Sequence, residues 1–183
     1  TASGSGSVTV PARANASYQM PFETGGRFYA TNGMTFLAIA QCDSGDQSRE
    51  WGYGLMPADM LTTMAICGWG QGSGDLTQNG SPVWVSATSN TTLYVDFDSN
   101  PNTGANIDPL GRRYDISTNV SAYETAIIYD TINNDKDQTA TRVYTLSNFI
   151  TTAWGEDPRS SLTGNPYLDM GCEILPMPTV LAE

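Results

Sequence analysis

The residues best equipped for chemistry are acidic and closely spaced. Asp96-Phe-Asp98-Ser-Asn100-Pro-Asn102-Thr-Gly104 sets an oxygen-bearing side chain at every second position before a glycine, and Asp108 follows. Calcium takes six to eight hard oxygen ligands at about 2.4 Å, and an alternating Asp/Asn loop can wrap several of them around one ion. A second loop supplies Asp130, Asn133, Asn134, Asp135 and Asp137. The expected calcium ligands are therefore Asp96, Asp98, Asn100, Asn102, Asp108, Asp130, Asn134, Asp135 and Asp137, with the two loops sharing one site. The pattern departs from an EF-hand, because Ile107 stands where the terminal Glu would be and no helices flank the loop. The competing reading is that Asp and Asn build turns through side-chain bonds to nearby amides, and that acidic loops are simply solvated.

Carboxylates could also pair as general acid and base, with Asp43, Asp46, Glu50, Glu156, Asp157 and Asp169 as the glycosidase candidates. The chain has no histidine, so Ser-His-Asp and Cys-His arrangements are excluded. No motif marks a nucleophile or a base, and the chain is expected not to be an enzyme. A third set is aromatic: Trp51, Tyr53, Trp69, Trp84, Trp154 and Tyr167. Exposed at loop bases they would stack on sugars or peptides; within strands they would be core. Gly68-Trp-Gly-Gln-Gly-Ser-Gly74 lacks the Lys and the helix of a phosphate loop and reads as a flexible connection.

The elements that must hold these residues are strands. Short runs rich in Val, Ile, Thr, Tyr and Trp, bounded by Gly, Pro, Asn or Asp, predict strands at 7–10, 16–20, 27–31, 34–42, 51–56, 63–69, 82–87 and 91–97. The series continues at 113–116, 123–129, 139–145, 149–154 and 172–175, and only 58–64, led by Pro57, offers a helical turn. An Asn32-Gly33 turn predicts one hairpin, and the polar turn between Trp84 and Tyr94 predicts another. So many short strands exceed one flat sheet, which predicts an all-β, antiparallel β-sandwich with little helix. Long loops at 43–50, 70–81 and 98–112 are where binding is expected.

The pattern also repeats. Arg27-Phe-Tyr29, the apolar run 34–40 and Trp51 to Pro57 resemble Arg142-Val-Tyr144, the run 149–154 and Met170 to Pro176, offset by 115 to 119 residues. Two related halves, about 8–69 and 82–178, are expected to pack as a single domain over 8–183, because a unit of some fifty residues buries little core alone. Residues 1–7, rich in Gly and Ser, read as a linker or tail, which either packs along its own domain or joins a neighbouring molecule.

The 183 residues carry 19 acidic and 8 basic side chains, a net charge of −11. That sign opposes phosphate backbones and anionic membrane surfaces, and no apolar run is long enough to span a bilayer. Neither nucleic acid nor membrane insertion is expected. No charged-then-apolar leader opens the chain, as expected of a mature or excised fragment. Cys42, Cys67 and Cys172 are odd in number, so one at least stays unpaired or bonds elsewhere. A single lysine, and Asn15, Asn90 and Asn119 in sequons, point to an extracellular or cell-surface setting.

Gly52-Tyr-Gly-Leu-Met-Pro-Ala-Asp-Met-Leu-Thr-Thr63, Gly68-Trp-Gly70, Asn79 to Val85, Thr92 to Asp98 and Ala153-Trp-Gly-Glu-Asp-Pro158 carry a resemblance over residues 27 to 178. They resemble IgGFc-binding-type modules of very large secreted or surface proteins of bacteria, which often stand before tandem Ig-like repeats. The resemblance implies an adhesin-like, non-catalytic surface module. Its partners would be other protein subunits or surface glycans, with a homo-oligomer through the N-terminal tail as one arrangement. The reading is a calcium-stabilised module for adhesion or extracellular assembly. A carbohydrate-binding module using exposed Trp and Tyr and a self-assembling filament or surface-layer subunit are the alternatives, with a glycosidase more distant.

Overall fold

Strands form where β-branched and aromatic residues alternate with polar ones, and two such stretches set the frame. Val83–Ala87 turns Val83, Val85 and Ala87 inward, and Thr91–Asp96 turns Leu93 and Val95 inward, all at most 2 % exposed. The computed structural model describes residues 5–21, 24–42, 51–70, 82–130, 137–155 and 171–177.

Within them lie twelve strands: β1 (Ile39–Cys42), β2 (Trp51–Gly54), β3 (Met64–Ile66), β4 (Val83–Ala87), β5 (Thr91–Asp96) and β6 (Asn106–Ile107). They continue as β7 (Arg113–Tyr114), β8 (Ile116–Val120), β9 (Thr125–Ile128), β10 (Arg142–Tyr144), β11 (Ile150–Gly155) and β12 (Gly171–Ile174). The only helical element among the described residues is one 3-10 turn at Ala58–Met60, shorter than the turn expected over 58–64.

Two four-stranded antiparallel sheets carry the core. One has the order β12-β11-β4-β9 and the other β3-β10-β5-β8. One cluster of buried side chains draws on both: Val83, Val85, Ile128, Ile150, Trp154 and Ile174 meet Ala65, Leu93, Val95, Val120 and Val143. Burying each such side chain stabilises by about 1.5 to 3 kcal/mol, which makes this interface the main favourable contribution to folding. The chain is thus an all-β sandwich.

Five connections pass from one sheet to the other, and three of them, β4 to β5, β8 to β9 and β10 to β11, come together. Asn90 ties them at one end, its Oδ1 accepting from the Ala122 amide at 2.8 Å and its carbonyl accepting from Asn148 Nδ2 at 3.2 Å. The expected hairpin between Trp84 and Tyr94 is therefore corrected: its two strands belong to different sheets, and the polar turn is a corner. The opposite edge is closed by bridges between Thr62 and Ile150 and between Ala65 and Pro176.

The structure does not confirm the expected internal repeat, whose first block falls in two different settings. Arg142-Val-Tyr144 is β10, central in its sheet, with Tyr144 fully buried. Its expected counterpart Arg27-Phe-Tyr29 lies outside any strand, with Tyr29 71 % exposed. Ser7 to Val10, Ala16 to Met20 and Met34 to Ala38 also lack strand structure, and the Asn32-Gly33 turn forms without strands beside it. In its place the first part of the chain gives an arm, described over residues 5–21 and 24–38, leading into the hairpin of β1 and β2. That hairpin is seated by Trp51, whose ring stacks on Tyr53 (centroids 5.6 Å apart) and lies across Gly155 and Gly171. These two glycines are cross-strand partners in β11 and β12, so the absence of side chains there leaves a flat bed for an aromatic plate.

Candidate functional site

The acidic loop that the sequence marks begins where β5 ends. β5 and β10 are in register so that Asp96 faces Arg142 and Tyr94 faces Tyr144, all on the outer side of the sheet. Asp96 Oδ2 accepts from Arg142 Nη2, and the two tyrosine rings stack at 5.3 Å. Residues 97–115 then leave the sheet as a strap, with β6 and β7 as its own small hairpin, and return over these four side chains. Asp115 closes the base: its Oδ2 accepts from the Phe97 amide at 2.8 Å and its amide donates to the Val95 carbonyl at 2.8 Å. Gly104, at φ +92°, lies so close to Tyr114 that an added Cβ would meet its backbone at 2.8 Å.

Asp108 locks the tip of the strap. Its Oδ1 accepts from the amides of Leu110 and Arg112, at 2.8 and 2.9 Å, and its Oδ2 accepts from Arg112 Nε at 2.7 Å. The Arg112 guanidinium thereby sits 4.2 Å above the Tyr144 ring, with Arg142 5.3 Å from the same ring. Two cations against one aromatic ring, each neutralised by its own carboxylate, form a clamp that holds the strap on the sheet.

The electrostatics follow from burial. Desolvation raises the Asp96 pKa to about 6, against the opposing pull of Arg142 and reinforced by the neighbouring Asp98 carboxylate. Burial also acts upward on Asp98 and Asp108, but hydrogen bonds outweigh it and both fall below the usual range: the Asn100 amide and Thr103 hydroxyl hold Asp98, and Arg112 and Leu110 hold Asp108. Tyr144 is pushed up by burial and then by Asp108, which its hydroxyl faces without reaching bonding geometry. Asp96 Oδ1, Arg112 Nη2 and Arg142 Nε are buried without a hydrogen-bond partner among the described residues.

The nine expected calcium ligands fall in several roles. Asp96 and Asp108 are buried against arginines. Asp98 and Asn100 each accept, through Oδ1, the amide two residues on, at 2.9 and 3.0 Å, and Asn102 follows in the same loop. Asp137 Oδ1 does the same for the Thr139 amide at 2.8 Å. Asp130 follows β9, half-buried, while Asn134 and Asp135 lie outside the described residues. The first loop reaches the segment that follows the second, Ser99 Oγ donating to the Ala140 carbonyl. Yet among the described residues no three acidic or thiol side chains stand together as a metal-holding group. The local geometry is that of turn-building Asp and Asn together with arginine pairing.

Among the aromatic candidates, Trp154 is buried in the core and Trp69 leans edge-on against it at 5.5 Å while remaining half exposed. Trp84 bonds the Gly155 carbonyl through Nε1 at 3.4 Å, and Trp51 and Tyr53 seat the hairpin. The Tyr53 phenol is pushed up by burial and then by Glu173. Tyr167 and the six acid-base candidates Asp43, Asp46, Glu50, Glu156, Asp157 and Asp169 lie outside the described residues. Cys67 is a buried thiol, raised to about 12 chiefly by desolvation, and Cys172 is exposed; both are free. Cys42 ends β1 opposite Trp51.

Sequence reasoning missed two things. One is the clamp, although Tyr94-Val-Asp96 and Arg142-Val-Tyr144 do place complementary side chains at alternate, outward positions. The other is the arm surface. Val8, Val10, Tyr18, Phe28, Tyr29, Met34, Phe36 and Leu37, with Ile39 of β1, are large apolar side chains left open to solvent, and Leu37 is 86 % exposed. The arm is tied to the sandwich at few points: the Thr24 bridge to Glu124, the Gly25 amide on the Tyr123 carbonyl at 2.8 Å, and the Leu55 amide on the Ala38 carbonyl at 3.0 Å. Large apolar side chains exposed in such number on one segment point to an interaction site.

Compared with known proteins, the chain matches no family model, no curated protein and no solved structure. Among the described residues no helix is long and apolar enough to cross a membrane.

Proposed function

We propose that the chain is a non-catalytic interaction module of an extracellular or surface protein, in which the sandwich is a rigid support and the arm is the contact element for adhesion or assembly. The observation that carries this reading is the run of nine exposed large apolar side chains between Val8 and Ile39 on a fold whose core is already complete without them. Such exposure is costly in water and is relieved when a partner covers it. The clamp around Tyr144 supports the same reading, since its charges are neutralised in pairs and serve to hold the strap. The acidic surface and the near absence of lysine support a setting outside the cell. Sugar binding through aromatics is less favoured, because Trp51, Trp84 and Trp154 are committed to packing.

The test is to make the arm polar. Tyr29→Asp and Leu37→Asp should leave the melting temperature of the dilute chain within about 2 °C, as expected for exposed positions, while reducing binding of an apolar dye to the folded protein. A drop of more than about 5 °C would mean that these side chains belong to the core, and the reading would fall.

A further inference from the structure

We infer that the partner of the arm is a second copy of this chain, the arm of one copy lying along the exposed edge of β8 on the other. The inference rests on the reading of the arm as a contact element. Three observations lead to it.

First, the arm has strand-forming sequences without a sheet. Ser7 to Val10, Ala16 to Met20, Arg27 to Thr31 and Met34 to Ala38 alternate or cluster β-branched and aromatic residues, yet none is in a strand. Where local preference and the single-chain structure disagree, the missing agreement is supplied by something outside that chain. An extended segment satisfies its amides and carbonyls most simply by adding to an open sheet edge.

Second, the body offers such an edge. β8 is the last strand of the sheet β3-β10-β5-β8, pairing with β5 on one side. Ile116 at its start and Ile107 and Leu110 on the adjoining strap are exposed, which gives the edge an apolar flank.

Third, charge and area match. Residues 1–42 carry Arg13 and Arg27 against Glu23, a net charge of +1, whereas residues 43–183 carry 6 basic and 18 acidic side chains, net −12. The acidic body therefore does not repel the arm, and Asp98 and Asp115 add negative charge near the start of β8. The exposed apolar residues of the arm present roughly 1,000 Å² of surface, enough for the ~800 Å² that each partner contributes to a standard interface. The contact is heterologous, arm onto body, so reciprocal exchange closes a dimer and one-way exchange builds a chain of copies.

The experiment is sedimentation velocity on the full chain between about 1 and 100 µM, with Leu37→Asp as the donor variant and Ile107→Asp, 60 % exposed on the flank of the receiving edge, as the receiving variant. Wild type should self-associate across this range. Each variant should sediment as a monomer with an unchanged melting temperature, and an equimolar mixture of the two should recover a 1:1 complex, since each keeps one intact half of the contact. A wild type that stays monomeric at 100 µM, variants that still associate, or a mixture that stays monomeric overturns the inference while leaving the arm free to bind something else. A Leu37→Asp chain that melts well below wild type instead overturns the reading of the arm on which the inference rests.

Discussion

Gly171→Ala drives a methyl group into the Trp51 ring, because an ideal Cβ at this position falls among the Trp51 ring carbons. Gly155→Ala is nearly as severe, with its Cβ 2.6 Å from Trp51 Cζ2. The two glycines are partners across β11 and β12, so neither strand can yield without loosening a ladder that ends in the core at Trp154 and Ile174. The ring itself must lift, and with it the β1-β2 hairpin. Overpacking of this kind costs about 1 to 3 kcal/mol. In a chain of this size each kcal/mol lowers the melting temperature by roughly 2 to 4 °C, so Gly171→Ala should melt about 3 to 10 °C below wild type. Trp51→Ala removes the plate and should cost about 3 kcal/mol, toward the lower end for a large aromatic because the ring is only half-buried. The decisive measurement is the double-mutant cycle, followed by far-UV circular dichroism on melting. Once Trp51 is Ala, the extra methyl at 171 has nothing to strike, and the combined loss should fall short of the sum by more than 1 kcal/mol. Additive losses, or a Gly171→Ala chain that melts within 1 °C of wild type, would refute the account of how the hairpin is seated.

Stability should rise as pH falls from 7 to 5. Asp96 holds its proton up to about 6 when folded but only to about 3.9 when unfolded, so the folded state binds more protons in that window. Glu173, also raised by burial, acts in the same direction. Below about 4 the trend reverses, because Asp98 and Asp108 are depressed in the folded state and lose their contribution as they protonate. Melting curves across pH should therefore peak between about 4 and 6, and a monotonic rise toward neutral pH would contradict the burial of Asp96. Arg112→Ala removes the partner of a buried carboxylate and should cost about 1 to 3 kcal/mol while opening the strap 97–115 to protease; unchanged melting and cleavage would dismiss the clamp. Leu93→Ala, fully buried between the sheets, should cost about 3 to 5 kcal/mol by chemical denaturation, and a loss under 1 kcal/mol would place Leu93 outside the core. Millimolar calcium should leave the melting temperature within about 1 °C, because the best-placed carboxylates already hold arginines and turn amides; a rise reversed by chelator would show that the two Asp-rich loops rearrange around an ion.

Strand content and class were readable because they rest on local signals. Val83-Trp-Val85 and Leu93-Tyr-Val95 alternate cleanly, and the structure turns Val83, Val85, Leu93 and Val95 inward. Pairing was not readable, because it depends on contacts distant in the chain. The turn after Ala87 has hairpin chemistry, yet Asn90 uses its side chain and carbonyl to gather three corners, and β5 departs to the other sheet. The similarity between Arg27-Phe-Tyr29 and Arg142-Val-Tyr144 misled for a physical reason. Tyr144 is buried because Arg112, 32 residues earlier, is held over it by Asp108, and nothing in the three-residue motif contains that information. At the acidic loop, the spacing of Asp and Asn was legible but their use was not. Alternating carboxylates suit a cation and suit tight turns equally, and the pairing of Asp96 with Arg142 comes from strand register, which the loop itself does not encode.

The inner strands of both sheets have a temporal consequence. β4 pairs with β11 and β5 pairs with β10, so each sheet joins residues 83–96 to residues 142–155 at its centre. A ribosome that has released the chain only as far as residue 130 has therefore exposed β4 with β9 and β5 with β8, but not β10 and β11, the second inner strand of each sheet. Completion of each sheet must wait for these late strands, and loops of this span close slowly. Cutting between 97 and 141 would separate two pieces that each lack half of a sheet's interior, so the polypeptide matures as one indivisible cooperative event.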